Sequence, residues 1–167
     1  MNIAEKLNSS DHPLFTFELL PPLKGRGIDA IYDTIDNLLE FNSSYINITS
    51  HAADIVYKNM PDGSISKMVV RKRPGSVATA AAIKYKYNIE VVPHIICSGL
   101  NREEIENLLI DLNFLDINNI FVLRGDPQKG SRIFIPKEDG HDHTTSLMQQ
   151  VNMMNSAKYL DDSLKNP

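Results

Sequence analysis

A single cysteine, Cys97, stands in the whole chain. No internal disulfide can form, so a disulfide-stapled secreted fold is excluded. Cys97 follows Ile95-Ile96, and that apolar setting reads as a small buried hydrophobe rather than a nucleophile. No stretch reaches the ~18 apolar residues needed to cross a bilayer. The polar opening from Met1 to His12 lacks the apolar core of a signal peptide. No membrane partner is expected, and the expected compartment is the cytoplasm. Positive charge is also scarce. Lys and Arg number 17 against 21 Asp and Glu, a net charge of −4, so nucleic acid is not the expected partner. The one basic cluster, Arg71-Lys72-Arg73, reads as a solvated loop. Repeats and low-complexity tracts are missing.

What is present supports one domain over residues 1–167, with 42% hydrophobic residues for a core. Short β-like runs alternate with longer helical ones. Leu14–Glu18, Tyr45–Thr49, Glu90–Ile96 and Asn119–Arg124 read as strands. Between and after them the pattern predicts helices over Ile28–Phe41, Ser76–Tyr87 with Ser76 as N-cap, Asn101 to about Leu115, and Thr145 to about Leu160. Asn101 followed by Glu104 forms a capping-box pattern. The stretch from Ser50 to Gly75 reads as a long, weakly periodic loop, of the kind that is usually functional.

A β-α order repeated four times predicts a parallel sheet, since each helix supplies the crossover that parallel strands need. An open doubly wound sheet and part of a (β/α)₈ TIM barrel both fit. The first turn, Glu18-Leu19-Leu20-Pro21-Pro22, carries no G-x-G-x-x-G pattern, which favours the barrel.

Polar residues recur at the predicted strand ends: Glu18, Thr49, His94 and Arg124-Gly125-Asp126. Ligands of parallel α/β folds bind beyond the carboxyl ends of the strands, so these four positions would converge on one mouth. Singly, each has a plainer reading: a turn carboxylate, a strand threonine, a core histidine, a Gly-Asp-Pro turn. One phase of the β-α repeat accounts for all of them together. His141 and His143, beside Asp139 and Asp142, read as polar loop rather than a metal site.

At these residues the chain resembles the methylenetetrahydrofolate reductase family, of the bacterial type. Phe17-Glu18-Leu19-Leu20-Pro21-Pro22 is similar to that family's Phe-Glu-Phe-Phe-Pro-Pro. Asn47-Ile48-Thr49 with Ala52 resembles its Val-Thr-x-x-Ala, Pro93-His94-Ile95-Ile96-Cys97 its Pro-His-Leu-Thr-Cys, and Leu123-Arg124-Gly125-Asp126 its Leu-Arg-Gly-Asp. The four motifs agree in order and spacing over nearly the whole chain.

The resemblance implies a TIM barrel that binds FAD, takes reducing equivalents from NADH or NADPH, and reduces 5,10-methylenetetrahydrofolate to 5-methyltetrahydrofolate for methionine synthesis. It implies Glu18 as general acid on the folate's bridging nitrogen, kept protonated by an apolar site with Leu19 and Leu20 as neighbours. Asp126 would be catalytic too, lying near flavin and pterin and binding both cofactor and substrate. Thr49, Ser50, Ala52, His94, Arg124, Gly125 and Thr144 would contact the cofactor, with Arg124 suited to its pyrophosphate. Three positions depart from the pattern: Ile96 replaces a threonine, Ser50 an aromatic residue and His143 a tyrosine.

Family members are about twice this long, and this chain stops at Leu164-Lys165-Asn166-Pro167. The expectation is therefore the amino-terminal half of the barrel, a fragment with an exposed sheet edge. It would lack activity alone and belong to a homo-oligomer when complete. The alternative is a non-catalytic half-barrel used for binding or oligomerisation.

Overall fold

The computed structural model describes residues 2–163, so Met1 and the terminal Leu164-Lys165-Asn166-Pro167 lie outside the described residues. In chain order the elements are α1 (Ile3–Ser9), β1 (Phe17–Leu19), α2 (Asp29–Asp36), a 3₁₀ turn (Leu39–Phe41), β2 (Ile46–Ile48), β3 (Asp54–Asn59), β4 (Ile65–Val70), α3 (Ser76–Tyr87), β5 (Val91–Ile96), α4 (Arg102–Phe114), β6 (Phe121–Leu123) and α5 (Thr144–Met154). Four strands form one parallel sheet in the order β1-β2-β5-β6, as the alternating pattern predicts.

The helices pack onto this sheet through one continuous core. Leu19, Ile46, Ile48, Val91 and Ile95 meet Ile31 and Ile35 of α2, Ala80 and Ile83 of α3, Ile105 and Leu112 of α4, and Leu147 of α5. Removing one of the larger Ile, Leu or Val side chains from water is worth about 1.5–3 kcal/mol. Side chains alternate across a strand, so Glu18, Asn47, His94 and Ile96 belong to the opposite face. Register confirms it: Glu18 aligns with Asn47, and Asn47 with Val92. β5, in the middle, is buried along all six residues. β1 and β6 each have one strand neighbour among the described residues, leaving two open edges.

Local signals explain where the elements begin and end. Asn101 accepts from the Glu104 N–H while Glu104 accepts from the Asn101 N–H, completing the predicted capping box on α4. α3 has the predicted span, but its N-cap is Gly75. Ser76 is instead the first helical residue, and its hydroxyl donates to the His94 carbonyl at 3.1 Å, tying α3 to β5. The helix predicted over Ile28–Phe41 stops at Asp36 and resumes as the 3₁₀ turn. α5 ends at Met154 rather than near Leu160, because Ala157 takes a left-handed conformation and the Ser156, Ala157 and Lys158 amides fold back onto Met153 and Met154. α1, inside the polar opening, is capped by the Asn2 side chain.

The largest correction concerns Ser50–Gly75. It is not a structureless loop: it contains the antiparallel hairpin β3–β4, turned by Met60–Ser64. Asp62 accepts from the Ser64 N–H within that turn, in a Pro-Asp-Gly setting that favours turns.

Candidate functional site

Glu18 and His94 come from strands separated by β2, yet the pleat aims both onto the face opposite the core. Their closest atoms, Glu18 Oε2 and His94 Nε2, are 3.7 Å apart. Neither residue ends its strand, as the sequence pattern suggested. Glu18 is the middle residue of β1, and His94 lies three residues inside β5. What joins them is shared face parity. Thr49 and Arg124 do sit just past their strands.

These residues line an open cavity of about 1160 Å³, above the roughly 300–1,000 Å³ of ordinary small-molecule sites. Glu18, Thr49, Ser50, Ala52, His94, Arg124, Gly125 and Asp126 all contribute to its wall. Thr144 does not; it is the first residue of α5.

Backbone geometry shapes the wall. Gly125 has φ +80°, and a Cβ there would lie 2.9 Å from the Ser98 Cβ. Only glycine fits both the left-handed backbone and the contact. The Ser98 hydroxyl donates to the Asp126 carbonyl at 2.9 Å and so fixes the turn after β6. Gly99, at φ +76°, lets the Ala52 methyl approach the turn after β5. Thr49 is held by its N–H to the Leu19 carbonyl at 3.0 Å. The Arg124 guanidinium lies 5.1 Å over the Phe134 ring, which presets its orientation.

His94 is 5% exposed and packs 5.1 Å from the Phe121 ring. Its Nε2 is buried without a hydrogen-bond partner, since 3.7 Å to Glu18 is too long for one. Burial pushes the imidazole below its ordinary value; the Glu18 carboxylate partly offsets this, and His51 adds to it. His94 is therefore neutral near pH 7. Burial likewise pushes the Cys97 thiol up, in keeping with a buried hydrophobe.

Glu18 departs from expectation. Its side chain is 61% exposed. Leu19 points into the helix-covered core and Leu20 is itself 52% exposed. The apolar enclosure expected around the carboxyl group is not built by the described residues.

Several lining residues were not anticipated: Asp54, Tyr57, Lys72, Arg73, Ser98 and Lys129. The basic cluster is not merely a solvated loop. Arg73 donates to the Pro21 carbonyl, Lys72 pairs with Asp54, and the Lys72 carbonyl accepts from the Lys24 N–H at 2.7 Å. It seams the end of the hairpin to the turn after β1. The available signal was Pro61-Asp62-Gly63 between two apolar runs. His141 and His143 have separate partners: buried His141 meets the Gln150 Oε1 at 2.6 Å, whereas exposed His143 pairs with Asp142.

A flavin would fit this donor set. His94, whose buried Nε2 has no hydrogen-bond partner, lines the cavity, a glycine turn leaves room for close backbone approach, and the Arg124 guanidinium belongs to the same lining. An exposed carboxyl group and a buried imidazole stand 3.7 Å apart on the same wall.

A family model described as methylenetetrahydrofolate reductase matches residues 2–164. The chain is 23% identical over 154 residues to methylenetetrahydrofolate reductase (NADH) 1 of Arabidopsis thaliana, covering 90% of this chain and 23% of that protein. To methylenetetrahydrofolate reductase 2 of Saccharomyces cerevisiae it is 26% identical over 156 residues, 90% of this chain and 24% of the relative. To the 5,10-methylenetetrahydrofolate reductase of Pectobacterium carotovorum it is 25% identical over 137 residues, 78% of this chain and 41% of the relative. The chain thus spans about a quarter of the plant and yeast proteins and two fifths of the bacterial one.

Proposed function

From the premise that the chain belongs to the methylenetetrahydrofolate reductase family, a family of oxidoreductases, we propose that it forms the flavin-binding, proton-donating part of a reductase acting on 5,10-methylenetetrahydrofolate. Its four sheet strands and following helices are the first four β-α units of a TIM barrel, and residues 1–167 form one domain, the amino-terminal half of that barrel. The product is 5-methyltetrahydrofolate, the electron source NADH or NADPH, the setting cytoplasmic, and the complete protein a homo-oligomer. The observation that carries this reading is one cavity lined together by Glu18, Thr49, His94 and Arg124-Gly125-Asp126.

FAD, when bound, supplies hydride transfer; the residues do the rest. His94 Nε2 gains the hydrogen-bond partner it lacks, and Arg124 meets the pyrophosphate. Thr49, Ser50 and Ala52 border the ring, and Asp126 holds ring and substrate. Thr144 acts from the start of α5, beyond the cavity wall, as a small residue near the cofactor. Glu18 gives its carboxyl proton to the bridging nitrogen of the folate. Bound rings over Glu18 would exclude the water that now reaches it and favour its protonated form. With Glu18 this exposed and two sheet edges open, the chain alone does not turn over.

The same two edges support a second reading, a non-catalytic half-barrel used for binding or oligomerisation. Calorimetric titration of the 167-residue chain with FAD separates them: the first reading expects saturable binding that Arg124→Ala weakens. A chain that stays colourless with excess FAD is not a self-sufficient cofactor site. Adding the remainder of a longer relative should then restore NAD(P)H-dependent folate reduction, and Glu18→Gln should abolish it. Full reduction by Glu18→Gln would end the acid assignment.

A further inference from the structure

The β3–β4 hairpin has no part in the roles above. Its two strands pack chiefly on each other, and a lone two-stranded hairpin buries little. Yet it displays Tyr57 at 66%, Ile65 at 67% and Val69 at 71% exposure. Register pairs Ile55 with Val69 and Tyr57 with Lys67, and alternation sets all four on one face. From that face Ile55 and Tyr57 line the 1160 Å³ cavity, as does the Arg124–Ser131 segment. Cations outnumber carboxylates by one in the cavity lining: Lys72, Arg73, Arg124 and Lys129 against Glu18, Asp54 and Asp126. Asp54, at the foot of the hairpin, pairs with Lys72 and also feels Lys129, while Lys67 stands beside Tyr57.

We propose that the hairpin is a ligand-binding wall: Tyr57 stacks on a planar nitrogen heterocycle bound in the cavity, and Lys129 holds an anionic group carried by the same ligand. This deepens the reading of the cavity as a flavin nucleotide site and rests on it. An aromatic ring offers its face to a heterocycle with little loss of freedom. The excess of cations over carboxylate at the hairpin foot matches a phosphate-bearing ligand rather than a neutral one.

The test is calorimetric titration with FAD and with riboflavin, which has the ring but no phosphate. Tyr57→Ala should weaken FAD binding about five- to 150-fold, the range for losing one stacked base, and Tyr57→Phe should restore it to within about twofold of the unmodified chain. Val56→Ala, on the opposite face of the same strand, should bind as the unmodified chain does. Lys129→Gln should weaken FAD but leave riboflavin unchanged. The proposal is overturned if Tyr57→Ala binds FAD normally, or if Val56→Ala weakens it equally, which would mean the hairpin's stability is what matters. It is also overturned if Tyr57→Ala leaves binding intact but abolishes a dimer seen by light scattering, which would assign the face to a second copy. Absence of FAD binding both by the unmodified chain and by the chain completed with the remainder of a longer relative removes the flavin reading and this wall together. Normal binding by Tyr57→Ala removes the wall alone.

Discussion

Replacing Gly125 with alanine should destabilise the chain more than the same change at Gly63, and the excess measures how tightly the cavity wall is packed. The two glycines have nearly equal φ, +80° and +82°. A methyl group in the left-handed region costs about 1–2 kcal/mol, reduced by roughly 0.4–1 kcal/mol because alanine restricts the unfolded chain. Those contributions are common to both sites. At Gly63 nothing lies within 4 Å of the added Cβ, whereas at Gly125 the Ser98 Cβ is 2.9 Å away and the Ile96 Cβ 3.4 Å. Backbone must shift to relieve the contact, and overpacking of that kind costs about 1–3 kcal/mol. Gly63→Ala should therefore cost about 0–1.5 kcal/mol and Gly125→Ala about 1–4.5 kcal/mol. Urea unfolding reads the difference directly. At a slope of about 2 kcal/mol/M, the Gly125→Ala midpoint should lie about 0.5–1.5 M below that of Gly63→Ala. Adding Ser98→Gly removes the clashing carbon, so the double variant should lose less than the two single losses added. Equal midpoints for Gly125→Ala and Gly63→Ala would refute the close approach of the two turns.

Three other outcomes follow from the same structure. His94 should titrate below its ordinary 6.5 by histidine NMR, and Glu18→Gln should move its midpoint lower still, because the carboxylate is what raises it. The folded state then binds fewer protons than the unfolded one below pH 6.5. Stability should accordingly fall as pH drops from about 6.5 to the lowered midpoint and show no further change from this group below it; a rise over that interval would contradict the burial of His94. Ile83→Ala, at a fully buried position of α3, should cost about 2–5 kcal/mol in chemical denaturation, and a loss under 1 kcal/mol would mean the core is not packed as described. Asn101→Ala, by removing one half of the α4 capping box, should cost about 1 kcal/mol, with Asn101→Gly costing only a few tenths.

The legible parts of this fold were those whose cause is local. α4 was readable from Asn101 and Glu104 because both halves of its cap lie within four residues. The hairpin escaped because its exposed residues include Tyr57, Ile65 and Val69 on one face and Val56 and Met68 on the other. Apolar side chains on both faces blur the alternation that marks a strand. Arg73 was readable as a cation but not as a donor to Pro21, a contact 52 residues away in sequence. At the site, the gathering of Glu18, Thr49, His94 and Arg124 was anticipated through strand ends. Its physical basis is different for Glu18 and His94, which meet through the pleat from inside their strands. The exposure of Glu18 could not be read from Leu19 and Leu20. Leu19, the next residue along the strand, points to the opposite face, and Leu20, past the end of β1, is itself exposed, so neither desolvates the Glu18 carboxyl group.

β5 is covered on both faces and paired on both sides. Its backbone amides can meet solvent only when the sheet itself opens, whereas those of the self-contained β3–β4 hairpin can do so while the rest of the chain stays intact. Deuterium should thus enter the hairpin first and β5 last. The cavity thus has its buried histidine on a slow-opening strand and its tyrosine on a faster-opening one, a fixed anvil beneath a surface free to adjust.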